Sequence, residues 1–278
     1  MQWEWEIKPQ TSWLGVSLKE LYSYKDLLFR LVRKEFLASY QQTLLGPFWV
    51  ILQPILTVLT YVLVFYKVIG LSTQGVPAFL YYLTGITLWS LFSDIFLATS
   101  ATFSQNIHVF SKVYFPRIIA PISIMLLHFL RFLIQLLLLI VVLLYYYFTN
   151  KVELYPGSIP LIIPAIIITV GIGFGAGLIF SILTAKYKDI TSLLQVIVRL
   201  LMFVCPIFYS IAMVPENIQW LVNLNPLTSQ FELFRYAFLE KGQFTDWQLV
   251  YSTIAMIVLV AMGVLWFNKM SDKLIDVV

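Results

Sequence analysis

Three ionisable residues sit inside long apolar runs of the chain: Asp94, Arg131 and Arg199. An ionised group at bilayer depth is costly unless it is paired or wetted. Such residues therefore mark either a fixed interhelical ion pair or the polar wall of a transport path. Asp94 with Arg131 or Arg199 would make the pair. His128, Arg131 and Gln135, spaced by three and four, share one helix face and would make the wall. Both readings stay open on these residues alone. Little other chemistry is on offer. No G-x-x-x-x-G-K-[ST] loop occurs, so this chain holds no phosphate loop of its own. His108 and His128 are far apart, and no H-E-x-x-H, C-x-x-C or G-x-S-x-G is present. No catalytic group, metal site or resident cofactor is expected, and Cys205 has no partner for an internal disulfide. The run Gly171-Ile172-Gly173-Phe174-Gly175-Ala176-Gly177 imitates a dinucleotide fingerprint, but it lies in the middle of a charge-free apolar stretch. It reads instead as a close helix–helix contact through small residues.

The elements that must position these groups follow from composition. The 278 residues are 60% hydrophobic and 12% charged, with mean hydropathy +0.87. Soluble domains are roughly 45–50% apolar and about 25% charged, so most of this surface must meet lipid. About 20 apolar residues make one membrane-crossing helix. Six runs qualify: Trp49–Tyr66, Ala78–Ala101, Ile118–Phe148, Ile159–Ala185, Ile190–Tyr209 and Trp247–Phe267. The third, at roughly 46 Å if helical, exceeds the bilayer core and should tilt, kink or project. No apolar signal-peptide core precedes the first run, so the N-terminus is expected in the cytoplasm. With both termini inside, the inner segments hold twelve Lys and Arg, the outer segments four (Lys67, Lys151, Arg235, Lys241), and the spans two. The bias agrees with the positive-inside rule.

Residues Tyr24–Leu45 read as an amphipathic helix along the cytoplasmic membrane surface. Leu28, Leu31, Val32, Phe36 and Tyr40 fall on one side, and Arg30, Arg33, Lys34 and Gln41 on the other. Gly46-Pro47 then turns the chain into the first span. The basic face is either an anchor on anionic lipid or a guide for an anionic lipid-linked substrate. On the opposite side, Ser210–Asp246 is too long for a turn. Its two short helical stretches, Ile218–Leu224 and Thr228–Leu239, suggest a hairpin dipping back into the outer leaflet, or else an ordered external cap. Rings are spread through the membrane depth at Tyr61, Phe65, Tyr66, Trp89, Phe92 and Phe96. They serve packing, or line a passage over which sugars slide.

The layout and four local motifs resemble the inner-membrane permease subunit of ABC transporters that export polysaccharides and polyol phosphates. The motifs are Arg33-Lys34-Glu35-Phe36 running through Ser39–Trp49 to Gln53-Pro54; Phe115-Pro116-Arg117 followed by Pro121; Tyr187-Lys188-Asp189-Ile190; and Pro206-Ile207-Phe208-Tyr209 with Asn225-Pro226-Leu227 and Arg235. Lys188 stands where the family pattern leads one to expect Arg. The resemblance implies a homodimer working with two separate ATP-binding subunits that carry the ATP and magnesium. It implies a cytoplasmic coupling helix within Thr102–Lys112, with Gln105, Asn106, His108 and Lys112 meeting the ATPase, and a smaller contact at Lys188 and Asp189. It further implies a channel at the dimer interface for an undecaprenyl-pyrophosphate-linked glycan, in the bacterial cytoplasmic membrane. On charge grounds Arg30, Arg33 and Lys34 are candidates for the pyrophosphate, with Arg131 and Arg199 as further substrate contacts. The expected fold is an all-α integral membrane protein of six transmembrane helices. Residues 1–48 form the cytoplasmic segment with its interface helix, and residues 49–278 the permease domain, with a re-entrant region at about 210–246. No nucleic-acid partner is expected. A permease exporting a drug or lipid shares this topology, and a membrane-embedded transferase is the other rival.

Overall fold

The computed structural model describes residues 22–105, 115–153 and 155–275, with side chains through residue 270. Among the described residues, regular structure is entirely helical. Helix α1 spans Lys25–Tyr40. It is followed by α2 (Trp49–Tyr61), entered through a 3-10 turn at Gly46–Phe48 and prolonged by a π-helical stretch at Val62–Val68. Then come α3 (Ala78–Ser100), α4 (Ile119–Phe148), α5 (Ile162–Lys186) and α6 (Asp189–Val204). The chain ends with α7 (Glu216–Asn223), α8 (Pro226–Leu239) and α9 (Asp246–Ile275).

Among the described residues, five segments are long and apolar enough to cross a membrane: Gly46–Val68, Ala78–Ser100, Ile119–Phe148, Ile159–Lys186 and Asp246–Met270. They match the first, second, third, fourth and sixth of the apolar runs in the sequence. The remaining run behaves differently. Its helix α6 has 16 residues, about 24 Å of rise, and stops before Cys205-Pro206. Proline lacks the amide that would continue the ladder, and it biases the preceding residue out of the helical region.

Helix α3 is the hub. Four consecutive residues, Leu80, Tyr81, Tyr82 and Leu83, are fully buried, which requires neighbours on every side. Those neighbours are α5, α4, α2, α8 and α6. The other extensive contact, α5 against α9, is made possible by glycine. A Cβ on Gly175 would lie 2.6 Å from the backbone of Leu259 and Val260, and one on Gly263 would lie 2.6 Å from the Gly175 carbonyl oxygen. The small-residue run thus does what its composition suggests: backbone packs on backbone. On the other side of α5, a Cβ on Gly177 would collide with Thr99.

Helix α1 is amphipathic as expected, with Val32 buried, Leu27, Leu28 and Leu31 packed inward, and Arg30 and Arg33 exposed. It is shorter than the expected Tyr24–Leu45, because Gln42 takes positive φ (59°) and Gly46 does so again (54°), which turns the chain before α2. It also packs against α4. Phe36 sits beside Leu130, Leu133 and Leu137, and Ser39 bonds Arg131, twelve residues into α4.

At the end of the bundle remote from α1, helices α7 and α8 form a hairpin folded against the midsections of longer helices. Phe231 meets Trp89, at 6.3 Å between centroids, eleven residues inside α3. The Tyr251 hydroxyl donates to the Leu224 carbonyl at 2.9 Å, and Ser252 donates to that of Pro226 at 2.8 Å. The hairpin tip therefore sits roughly 8–9 Å along α9 from its start, and Phe231, midway along α8, roughly 16 Å along α3 from its start. Its base returns to the end, where Ser158 donates to the Ala237 carbonyl at 3.2 Å.

Candidate functional site: a polar seam through the bundle

Polar side chains in an apolar bundle must find partners within it, and most here converge on the contact of α3 with α4. Asp94 and Ser90 are one turn apart on α3 and face His128 and Gln135 on antiparallel α4. The Ser90 hydroxyl donates to Gln135 Oε1. The Asp94 carboxylate lies 3.8 Å from His128 Nδ1, an ion pair whenever the imidazole is protonated. The expected partner of Asp94 was an arginine. Neither takes that place, because Arg131 projects from between these two rungs toward α1. There its Nη2 donates to the Ser39 hydroxyl at 2.9 Å, and its guanidinium stands 5.7 Å over the Tyr40 ring. Its Nε is buried with no partner among the described residues.

Two cavities flank this ladder. The first, about 400 Å³, opens between α1, the end of α3 and the start of α4. Lys34, Glu35, Ser39, Gln105, Ser123, His128 and Arg131 supply its polar lining. The second, about 240 Å³, lies between α2, α3, α4 and α6, and draws on Gln53, Thr57, Tyr61, Ser90, Ser93, Asp94 and Gln135, with Trp89 and Met202 as its apolar lining. Asp94 borders one cavity and its partner His128 the other. A string of hydroxyl, amide and charged groups thus runs from Lys34 to Tyr61 through an otherwise apolar structure. Such a wall offers many weak hydrogen-bonding partners and no nucleophile with an activating base. It is suited to passage or docking of a polar group.

The expected site residues divide clearly. Lys34, Arg131 and Gln105 line the first cavity, and Tyr61 and Trp89 the second. Arg30 and Arg33 are exposed on the other face of α1. Tyr61 and Phe65 pack on Phe208, at 4.8 Å edge-on and 4.3 Å stacked. Tyr66 is exposed, with Lys67 Nζ 5.8 Å from its ring centroid. Arg199 is exposed on α6, among Val196, Ile197, Leu200 and Phe203, which are exposed too. It joins no ion pair among the described residues. Lys188 and Asp189 form the exposed turn between α5 and α6, where the Asp189 carboxylate also suits the N-terminus of α6. Asn106, His108 and Lys112 lie outside the described residues.

One buried cluster was not expected. Arg235, assigned to the outer aqueous side by charge counting, is 1% exposed, and Glu232 is fully buried. Their side chains pair at 2.8 Å. Arg235 also donates to the Pro206 carbonyl and stands 4.4 Å over the Tyr81 ring, while Glu232 Oε2 accepts the Gln243 amide at 2.9 Å. A single ion pair therefore ties α8 to α3, to the break after α6 and to the α8–α9 loop. The spacing of three between opposite charges in a short apolar helix was the available clue.

A family description, ABC-2 type transporter, matches residues 26–239, well over half of the chain. Among similar proteins, an O-antigen export system permease protein RfbA of Klebsiella pneumoniae is 28% identical over 254 residues, 91% of this chain and 95% of its own length. A second RfbA permease of that organism is 27% identical over 265 residues, 94% of this chain and the whole of its own. One from Myxococcus xanthus is 26% identical over 229 residues, 80% of this chain and 84% of its own. The match takes in α1, the polar seam and the α7–α8 hairpin together, and the chain belongs to the ABC-2 type transporter family of membrane proteins.

Proposed function

We propose that this chain is the transmembrane subunit of an ATP-driven exporter that moves a lipid-linked polysaccharide, of the O-antigen, capsule or teichoic-acid kind, across the bacterial cytoplasmic membrane. The observation that carries this reading is the near full-length similarity to permeases named for O-antigen export. The lack of a phosphate loop agrees with ATP and magnesium being held by two separate ATP-binding subunits on a homodimer. Both termini face the cytoplasm, following the Lys and Arg bias. Helix α6 supplies a sixth crossing: its short rise is completed by residues 205–210, and the α7–α8 hairpin re-enters the outer leaflet beside it. Gln105 and the segment after it, with Asn106, His108 and Lys112, form the main ATPase contact, and Lys188 and Asp189 the lesser one.

Within this reading the first cavity receives the pyrophosphate of the lipid carrier. Lys34 and Arg131 supply positive charge there, and Arg131 has an unused Nε. Arg30 and Arg33, on the outer face of α1, hold the helix to anionic headgroups. Tyr61 and Trp89, in the second cavity, and the open ring of Tyr66 contact sugar units. Arg199, on the exposed face of α6, faces the second protomer across the channel. The test is a Lys34→Gln/Arg131→Gln double variant assayed for surface glycan. Each lost charge-assisted contact is worth about 1.5–3 kcal/mol, so export should fall at least about tenfold while the complex still assembles. Undiminished export by an assembled double variant would remove the pyrophosphate from this cavity.

A further inference from the structure

A second polar concavity lies at the opposite end of the molecule, and nothing in the exporter reading uses it. It is an open groove of about 540 Å³ between the α7–α8 hairpin and the start of α9. Four amide side chains line it: Gln219, Asn223, Gln243 and Gln248. Two rings share it, Tyr236 and Phe244, edge to face at 5.4 Å. No Lys, Arg, Asp or Glu is among its lining residues. The Glu232 carboxylate, which accepts the backbone amide of Gln243, is fully buried and already paired with Arg235.

The state of these amides points to a ligand. Asn223 Oδ1 is buried without a protein partner. Gln219 spends its Nε2 on the Val214 carbonyl at 2.8 Å, and Gln248 spends its Oε1 on the Thr245 amide at 3.0 Å. The groove is thus left with the acceptor oxygen of Gln219, the orphaned acceptor of Asn223 and the donor nitrogen of Gln248. An amide set offering both donors and acceptors matches hydroxyl groups, which are themselves both. A phosphate or carboxylate would find no cation here to offset its desolvation. A hydrophobic ligand would leave the buried oxygen of Asn223 unsatisfied. The two rings supply an apolar face of the kind that packs on the C–H side of a pyranose.

We infer that this groove binds an uncharged saccharide unit. As the class of sugar carried by the exported chain, this rests on the exporter reading; as a binding site it stands on the groove alone. The backbone of the site is rigidly placed. Gly242 packs so closely on the Glu232 carbonyl that a Cβ would lie 2.2 Å from its oxygen, and the Glu232 carboxylate holds the Gln243 amide.

The experiment is saturation-transfer NMR on the full-length chain in lipid nanodiscs. The probes are the methyl glycosides of mannose, galactose, rhamnose and N-acetylglucosamine, with methyl glucuronide as the charged control. At least one neutral probe should bind with millimolar affinity, and the glucuronide should not. Asn223→Leu removes one hydrogen-bond partner and Phe244→Ala one ring face, and each should weaken binding about fivefold. Asn223→Leu also removes the orphaned oxygen, so its thermal stability should equal or exceed that of the parent, which separates lost binding from misfolding. No binding by any neutral probe, or binding unchanged in both variants, overturns the inference. Glycan export in the same strain is scored separately. Normal export with no saccharide bound ends the groove proposal and leaves the exporter intact. Saccharide binding by a chain whose deletion leaves surface glycan unchanged supports the groove and ends the exporter reading.

Discussion

Replacing Arg235 with methionine should cost about 3–5 kcal/mol of stability, the usual penalty for removing one member of a buried ion pair. The reason is Glu232, which is fully buried and would be left without its partner. The Pro206 carbonyl and the Tyr81 ring would lose the same cation. Adding Glu232→Gln should recover much of the loss, because the stranded charge disappears and the amide oxygen still accepts from Gln243. Arg199→Met gives the contrast. Its side chain is exposed and contributes to no ion pair among the described residues, so its stability should change by less than about 0.5 kcal/mol. Thermal or denaturant unfolding of the three variants in one detergent measures the ordering. Equal effects of Arg235→Met and Arg199→Met would mean that the hairpin is not anchored as described.

Substitution at Gly175 should be the other severe lesion. A Cβ there meets backbone atoms of Leu259 and Val260 at 2.6 Å, and Gly263 in turn sits against the Gly175 carbonyl. Backbone cannot swing aside as a side chain can, so even alanine must push α5 and α9 apart. Valine adds further bulk, and Gly175→Val should cost at least about 3 kcal/mol, the upper part of the range for overpacked interiors. Gly171 is close too, but its neighbours are Cγ and Sδ of the flexible Met256 side chain, which can repack. Gly171→Ala should therefore be mild, and Gly157→Ala, which meets nothing within 4 Å, should be neutral. Melting temperatures that failed to follow the order Gly175→Val, Gly171→Ala, Gly157→Ala would place the α5–α9 contact elsewhere.

Much of this architecture is legible in residue order because its cause is local. Apolar runs with at most one charge, bounded by turn residues, locate α2, α3, α4, α5 and α9, although α9 runs eight residues past the end of its apolar run. The glycine run in α5 announces a close contact because only missing Cβ atoms allow it. The early end of α6 was legible too, in Pro206, but hydrophobic length alone passes over a proline near the end of a run. Partner choice was less visible. Asp94 meets His128 and not an arginine, since the turn of α4 that presents His128 sends Arg131 toward Ser39. Arg235 resembles any outer-loop cation until α3 and the Pro206 turn close around it. Such burial is a property of several segments at once, and no window along the chain contains it. The docking of α1 on α4 has the same origin: amphipathicity sets which face is buried, not which helix covers it.

The role assigned to this chain can be tested most directly in inverted cytoplasmic-membrane vesicles given lipid-linked glycan on their outer, cytoplasmic face. With the chain, its ATP-binding partner and ATP present, the glycan should become protected from an added membrane-impermeant glycosidase. Vesicles lacking only this chain should show no protection. Equal ATP-dependent protection with and without the chain would contradict its role as the export path.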